Sequence, residues 1–394
     1  MSSAPSPTSR FSFPTTIHFG AGARALVADH LKAANVKRPL VVTDRGIAPL
    51  PMLKEFVASL SGLSPGVFSG IWGNPVRSHV NEGVAAYKAH GADAVIGLGG
   101  GAALDVAKAI ALMATHPGDI LEYAWDHPAV RPIDQALPYF IALPTTAGTG
   151  SEVGRSSVVS DDTTHIKKII FSPALLAKCV FADPELTFDL PPAITAATGM
   201  DALTHNVESY LSPEYHPLCD GIALEGVRIA ARALPIAYRD GRNLQARSDM
   251  LMSSMMGAIA FQKDLGAVHS CAHALSTVAD LHHGLANGIM IDHVMRFNLS
   301  SATAKMAELA RVAGVPGASR MSESDAASAF VAWLGATKKA LGIPAKLSGL
   351  STQRAVTSGD IPALVDVAIN DTCHRTNPRS CTREDFERMF AEAI

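Results

Sequence analysis

Apolar residues in the first half of the chain fall in short continuous runs separated by stretches of helical period. Thr16 to Phe19 reads as a strand, Ala25 to Ala34 as a helix, and Pro39 to Thr43 as a β-branched strand ending at Asp44. Val67-Phe68 is a short apolar step. His79 to His90 has helical period, and Ala94 to Leu98 is a buried strand that runs into Gly99-Gly100-Gly101. A helix from about Ala103 to Ala114 follows, then a strand at Tyr139 to Leu143 closed by Pro144. This β-α-β rhythm predicts a parallel sheet covered by helices. After about Leu190 the rhythm changes. Helical period runs through Ala193–Leu211, Gln245–Gln262, Ser324–Leu341 and Arg383–Ile394, and Leu224, Val227, Ala231 and Leu234 form one apolar stripe. Strand signals are nearly absent there. The expected boundary falls at Asp189-Leu190-Pro191-Pro192, where paired prolines interrupt regular structure. The expected division is an N-terminal α/β domain over 1–190 and an all-helical domain over 191–394.

Composition narrows the class. Of the 394 residues, 48% are hydrophobic and 18% charged, with net charge −3. So low a charged fraction allows a large core and suggests a homodimer or larger homo-oligomer. No basic run interleaved with aromatics occurs, so nucleic acid is not an expected partner. No apolar stretch is long enough to span a membrane. Met1 to Arg10 is rich in Ser and Pro without an apolar stretch and reads as a loose tail, not a signal peptide. Cys179, Cys219, Cys271, Cys373 and Cys381 are scattered and form no C-x-x-C, which points to a reducing, cytoplasmic setting without disulfides.

The chemistry concentrates between Met200 and His293. Asp201 and His205 stand four apart, so a helix puts them on one face; His269 and His273 repeat the spacing. His282-His283-Gly284 follows. A carboxylate with several imidazoles suits Fe(II), Zn(II) or a similar ion, and a catalytic site leaves one position open. Any one of the 15 histidines is more readily a packed or surface residue. The combination favours a metal, and spacing does not select among His269, His273, His282, His283 and His293.

Glycines 99–101 sit between strand and helix, where backbone N–H groups can approach a phosphate. They also suit a plain tight turn, and they are not a G-x-G-x-x-G fingerprint. Asp105 and Lys108 follow, and Asp105 also suits the helix dipole. Asp44 ends a strand, where an acid can accept from ribose hydroxyls and repel a 2′-phosphate, favouring NAD over NADP; a turn role is the alternative. Pro144 to Glu152 is a second loop of hydroxyls and glycines after a strand.

Taken in order, Gly99-Gly100-Gly101 with Asp105-x-x-Lys108, the Pro144–Glu152 run, Ala197 to His205, and His269-x3-His273-x9-His283-Gly284 resemble the iron-containing (group III) alcohol dehydrogenases. The resemblance spans nearly the whole chain and includes Thr376-Asn377-Pro378-Arg379. It implies a Rossmann-like dinucleotide-binding domain and a helical metal-binding domain, the dehydroquinate synthase-like fold, with NAD(P) and a metal in the cleft between them. Matched by position, the implied metal ligands are Asp201, His205, His269 and His283, with His273 facing the nicotinamide and substrate and His282 and His293 outside the ligand set. The implied cofactor set is Asp44, Gly100, Gly101, Ala102, Asp105, Thr145, Thr146, Thr149, Ser151 and Lys167, with Lys168 as the alternative to Lys167. Ala102 stands where the family usually has Ser, and Gly154 where Thr is more usual.

The implied activity is NAD(P)-linked oxidation of a small alcohol or reduction of its aldehyde, with NAD preferred. The family points to Fe(II), and Zn(II) or Mn(II) fit the same donors. A metal-dependent lyase or cyclase of the dehydroquinate synthase type is the second reading, and normally needs more basic residues. A metal-dependent hydrolase is the third and leaves the glycine turn and Asp44 without work. Loops at Gly148–Ser151, Phe261–Leu265 and Cys373–Arg375 are the expected pocket walls, with His374 and Arg375 able to meet an anionic substrate.

Overall fold

The structure, a computed structural model, describes residues 13, 15–350 and 355–394. The stretch Met1–Arg10, read from sequence as a tail, lies outside the described residues. The first half alternates β1 (Thr16–Phe19), α1 (Val27–Ala33), β2 (Pro39–Asp44), α2 (Pro51–Ser59), β3 (Gly66–Ile71), α3 (Arg77–His90), β4 (Ala94–Gly99), α4 (Gly101–Met113) and β5 (Tyr139–Pro144). A hairpin of β6 (Ser156–Ser160) and β7 (Lys167–Phe171) follows, then β8 (Cys179–Ala182). Six strands form one parallel sheet in the order β1-β8-β5-β4-β2-β3. Chain order reverses between β2 and β4, so their carboxyl ends flank the crevice where parallel sheets bind ligands.

The strands are apolar on both faces because both are covered. Val42, Val95, Ala142 and Val180 pack toward α3 and α4, whereas Val41, Ile96, Ile141 and Phe181 pack toward α1 and α2. Gly97 explains one close approach: a Cβ there would lie 3.0 Å from Leu104 and 3.1 Å from Ala107 of α4.

From Pro192 the chain is helical: α5 (Pro192–Leu211), α6 (Pro217–Arg239), α7 (Leu244–Ala260), α8 (Ala267–Ala279), α9 (His283–Asn298), α10 (Thr303–Val312), α11 (Glu323–Ala340), α12 (Ile361–Asn370) and α13 (Arg383–Ala393). Pro191 precedes α5 with extended backbone and Pro192 takes its first turn, where a missing N–H costs nothing. The core on the α3–α4 side of the sheet continues without a break into these helices. The predicted stripe on α6 is rotated. Val227 and Leu234 are buried, but Leu224 and Ala231 lie at its margin, and Ala223, Ala230, Ala233 and Ala237 complete the buried face. Small residues let α5 and α6 approach closely, so the face that packs is the alanine face.

Candidate active site

Three helices bring the acid and imidazoles together. Asp201, His205 and Glu208 lie on one face of α5, at i, i+4 and i+7. His269 and His273 come from α8, and His283 opens α9. The ligand atoms of Asp201, His205 and His269 all lie within 4.8 Å of one another. Asp201 Oδ1 is 4.0 Å from His205 Nε2, 3.8 Å from His269 Nε2 and 3.5 Å from His283 Nε2. Two glycines permit this. A Cβ on Gly284 would lie 2.4 Å from the Ala197 carbonyl oxygen of α5, so only glycine lets α9 start against α5. A Cβ on Gly266 would lie 2.6 Å from Glu208 Oε1, which must reach the first turn of α8.

Hydrogen bonds fix which ring nitrogens carry protons. Glu208 Oε2 accepts from His269 Nδ1 at 2.6 Å, while Glu208 also takes the Val268 N–H at 2.7 Å. His205 Nδ1 donates to the Gly148 carbonyl at 3.2 Å. Both Nε2 atoms therefore present lone pairs toward Asp201. Burial pushes the His205 imidazole down to about 4, and burial followed by the Lys167 charge pushes His283 well below its usual range. The cluster thus sets a buried carboxylate beside His205 and His283, two imidazoles that burial keeps neutral. Asn287 of α9 donates its amide to Asp201 Oδ1 at 2.7 Å and also stands 3.3 Å from His269 Nε2 and 3.2 Å from His283 Nε2. Two amide protons cannot satisfy three acceptors, and Asn287 Oδ1 and His283 Nδ1 are buried without hydrogen-bond partners. A divalent cation supplies the charge this donor set lacks, so these residues fit one.

His273 lies against this set, its ring 5.3 Å from that of His283 and nearly parallel to it. Its Nδ1 is 2.8 Å from Asp371 Oδ2. Asp371 also accepts from Ser270 Oγ at 2.7 Å and Cys373 N at 2.9 Å, and these contacts, led by His273, hold it below the usual carboxylate range against the opposing effect of burial. Phe261 tilts against His205 at 5.3 Å. His282 caps α9, its Nδ1 3.4 Å from Leu285 N, and His293 lies about 15 Å farther along the helix. Of the other expected pocket residues, His374 packs edge-on to Phe386 and bonds the Ile369 carbonyl, and Arg375 is exposed.

At the sheet edge, Asp44 ends β2 beside Gly99, which ends β4. Asp44 Oδ1 accepts from Gly46 N at 2.8 Å and Ile47 N at 2.9 Å, a turn role, while Oδ2 points to Gly99. Gly100 caps α4 without a side-chain partner, and no acid occupies the first turn, so the helix N-terminus is open to an anion. Ala102 stands half-buried in that turn. Thr145 N donates to the Gly99 carbonyl at 3.0 Å. Thr146 packs on Gly100 and Thr149 on Gly101, where a Cβ would come within 2.5 Å of the Thr149 methyl. This second loop also supplies the Gly148 carbonyl to His205 and so joins the glycine turn to α5.

Asp105 and Ser151 are engaged with each other. Asp105 accepts from Ser151 Oγ at 2.6 Å and Val158 N at 3.0 Å, and Lys108 Nζ donates to Ser151 Oγ at 2.8 Å. These bonds tie α4 to the loop and to β6. The hairpin separates the two lysines. Lys168 pairs with Asp126 at 2.7 Å, whereas Lys167 is drawn on by Asp201, Asp371, Asp105 and Asp280, although burial dominates and pushes it down to about 8.

Sequence reasoning did not single out Glu208, Asn287 or Asp371. Helical spacing was the available signal for two: Glu208 is seven residues after Asp201, and Asn287 four after His283. Asp371 offered only its position beside the Cys373–Arg375 loop.

Residues 14–184 match the family model described as iron-containing alcohol dehydrogenase, and residues 195–394 match that of the Fe-containing alcohol dehydrogenase family, C-terminal. The chain is 37% identical over 390 residues to a 4-hydroxybutyrate dehydrogenase of Cupriavidus necator, covering 96% of this chain and 98% of that one. Its fold superposes on a 1,3-propanediol oxidoreductase with a TM-score of 0.92 at 34% identity, covering 98% of this chain and 100% of that one. A sulfoacetaldehyde reductase of Bifidobacterium kashiwanohense in complex with NAD+ gives a TM-score of 0.85 at 28% identity, with coverage of 98% and 99%. With both halves matched and relatives aligned end to end, this chain belongs to the iron-containing alcohol dehydrogenase family.

Proposed function

We propose that the protein is an NAD-preferring dehydrogenase of small primary alcohols and a reductase of the corresponding aldehydes. The observation that carries this reading is the convergence of Asp201 Oδ1 with three imidazole lone pairs beside His273. In this reading Asp201, His205, His269 and His283 hold a divalent metal, Fe(II) by family, with Zn(II) and Mn(II) as alternatives. When bound, the cation supplies Lewis acidity toward a substrate oxygen, and the nicotinamide supplies or accepts the hydride.

The chain's own residues do the rest. Asp371 holds His273 through Nδ1, leaving Nε2 to take or return the alcohol proton. The open N-terminus of α4, with Gly100, Gly101 and Ala102, takes the pyrophosphate, helped by Thr145, Thr146 and Thr149. Asp44 Oδ2 accepts from the ribose and disfavours a 2′-phosphate, and Lys167 faces the cofactor from the hairpin. Asp105 and Ser151 serve the cofactor by fixing the loop that carries these contacts. Phe261 helps keep water from the His205 side. Residues 1–190 form the cofactor domain and 191–394 the metal and substrate domain. A homo-oligomer in the cytoplasm is the proposed setting. Among the described residues no helix is long and apolar enough to cross a membrane. The relatives do not favour a lyase of the dehydroquinate synthase type.

Relatives named for 4-hydroxybutyrate, 1,3-propanediol and methanol define the range to test. The experiment is a panel of primary alcohols, diols, ω-hydroxy acids and their aldehydes with NAD(H) and NADP(H), run with metal analysis of anaerobically purified protein. Metal-dependent NADH formation with at least one class is expected. No turnover in any class by metal-loaded protein would end the proposal. The Asp44→Gly variant should lose discrimination against NADP; unchanged cofactor selectivity would remove Asp44 from the ribose site.

A further inference from the structure

A second cluster of soft and borderline donors lies at the other end of the sheet. His18 of β1, His30 of α1 and Cys179 of β8 each offer a ligand atom within 4.8 Å of the others. They come from three elements brought together by the parallel pairing of β1 and β8, in which Thr16 aligns with Cys179 and His18 with Phe181. His18 stacks on Phe181 at 5.1 Å, and His30 meets the same ring edge-on at 5.2 Å. The Tyr139 hydroxyl is 3.0 Å from His30 Nε2 and fixes that imidazole. Tyr139 and Cys179 begin their strands, so the cluster sits at the amino end of the sheet. Asp44, Gly99 and Pro144 end theirs at the candidate active site.

We propose that His18, His30 and Cys179 form a second metal site, selective for a thiophilic divalent ion such as Zn(II), that clips the edge strand to α1 and the sheet. Two imidazoles and a thiolate match that ion's preference, with a water completing four-coordination. Tetrahedral bonds of about 2.0–2.3 Å put donors roughly 3.5 Å apart, so the side chains close by about 1 Å on loading. Both histidines are half-exposed, giving an entry path, while Cys179 forms the buried floor. Burial and then the neighbouring His18 push the His30 imidazole down, so its lone pair is available near neutral pH. Burial raises the Cys179 thiol, so loading displaces its proton to solvent. The clip has a clear mechanical consequence. β1 has four residues and pairs with β8 alone, so an ion bridging it to α1 adds a tie to a short edge strand.

The test is metal titration of the full chain, with Co(II) as the spectroscopic probe and Zn(II) for stoichiometry. The wild type should bind a second equivalent that gives a thiolate-to-cobalt charge-transfer band. Cys179→Ser should lose both the band and the second equivalent, and His30→Gln should weaken that equivalent on the order of tenfold or more. Cys373→Ser is the control, because Cys373 lies beside His273 and Asp371. Zn(II) should also raise the Tm of the wild type more than that of Cys179→Ser. A stoichiometry and a band unchanged in Cys179→Ser, or a band that follows Cys373, would overturn the site. Loss of the band in Cys179→Ser leaves the Asp201, His205, His269 and His283 donors untouched, whereas a band that follows Cys373 places the ion beside His273 instead.

Discussion

At the residue scale, the candidate metal site depends on side chains that themselves hold no ion. Glu208 sets the His269 tautomer, and Asn287 holds the carboxylate oxygen toward which the imidazoles converge. Removing such partners typically lowers metal affinity 10–100-fold, since ligands must then be ordered at the moment of binding. Asn287→Ala and Glu208→Gln should each weaken metal binding by about that range, measured by chelator competition on folded protein. An affinity within twofold of wild type would exclude the residue from this role. The residues that were legible in the sequence share one property: they are chemically unusual at their spacing, as Asp201, His205 and His269 are. Glu208 and Asn287 are ordinary helix residues until the fold turns them inward. Asp44 is the reverse case. Its place was readable, and the turn role offered as the alternative is present: one oxygen accepts from Gly46 and Ile47, while the other points to Gly99.

At the scale of elements, the site is a packing result. α5 and α9 meet where Gly284 faces the Ala197 carbonyl at a distance no Cβ tolerates. Gly284→Ala must shift the start of α9, and with it His283, because the obstacle is backbone. The expected outcome is a metal affinity reduced at least tenfold in a protein whose far-ultraviolet circular dichroism is unchanged. Retained affinity would show that α9 can slide without moving His283. Elements with a strong internal pattern were legible: β1, β2, β4, β5 and the helices α1, α3, α4, α5, α7, α11 and α13 stand where apolar runs and helical period put them. The missed ones lack such a pattern. α2 begins at Pro51 in a loop-like stretch, and β6 and β7 carry Ser and Lys. β8 has only four residues, and neighbours on both sides define it. Tertiary pairing, not local propensity, makes these strands.

At the scale of the whole molecule, one loop couples the halves. Residues 144–152 cover the glycine turn, give a carbonyl to His205, and end at Glu152, which is 1% exposed beside the α4–hairpin network. Burial, opposed by its own backbone and by Lys108, raises the Glu152 carboxyl from 4.5 to about 7, and its Oε1 has no hydrogen-bond partner. The folded state therefore binds this proton more tightly than the unfolded chain. The resulting stability is fully present below about pH 4.5 and is lost as pH rises through about 7. Relative to Glu152→Gln, the wild type should lose on the order of 3 kcal/mol of stability across that window. Parallel unfolding of the two proteins at several pH values reads the difference directly, and shared effects of the histidines cancel in the comparison. A constant difference from pH 4.5 to 8 would mean the carboxylate is ionised and solvated in the native state. A difference that falls over this window would show that the folded protein holds the Glu152 proton up to about pH 7.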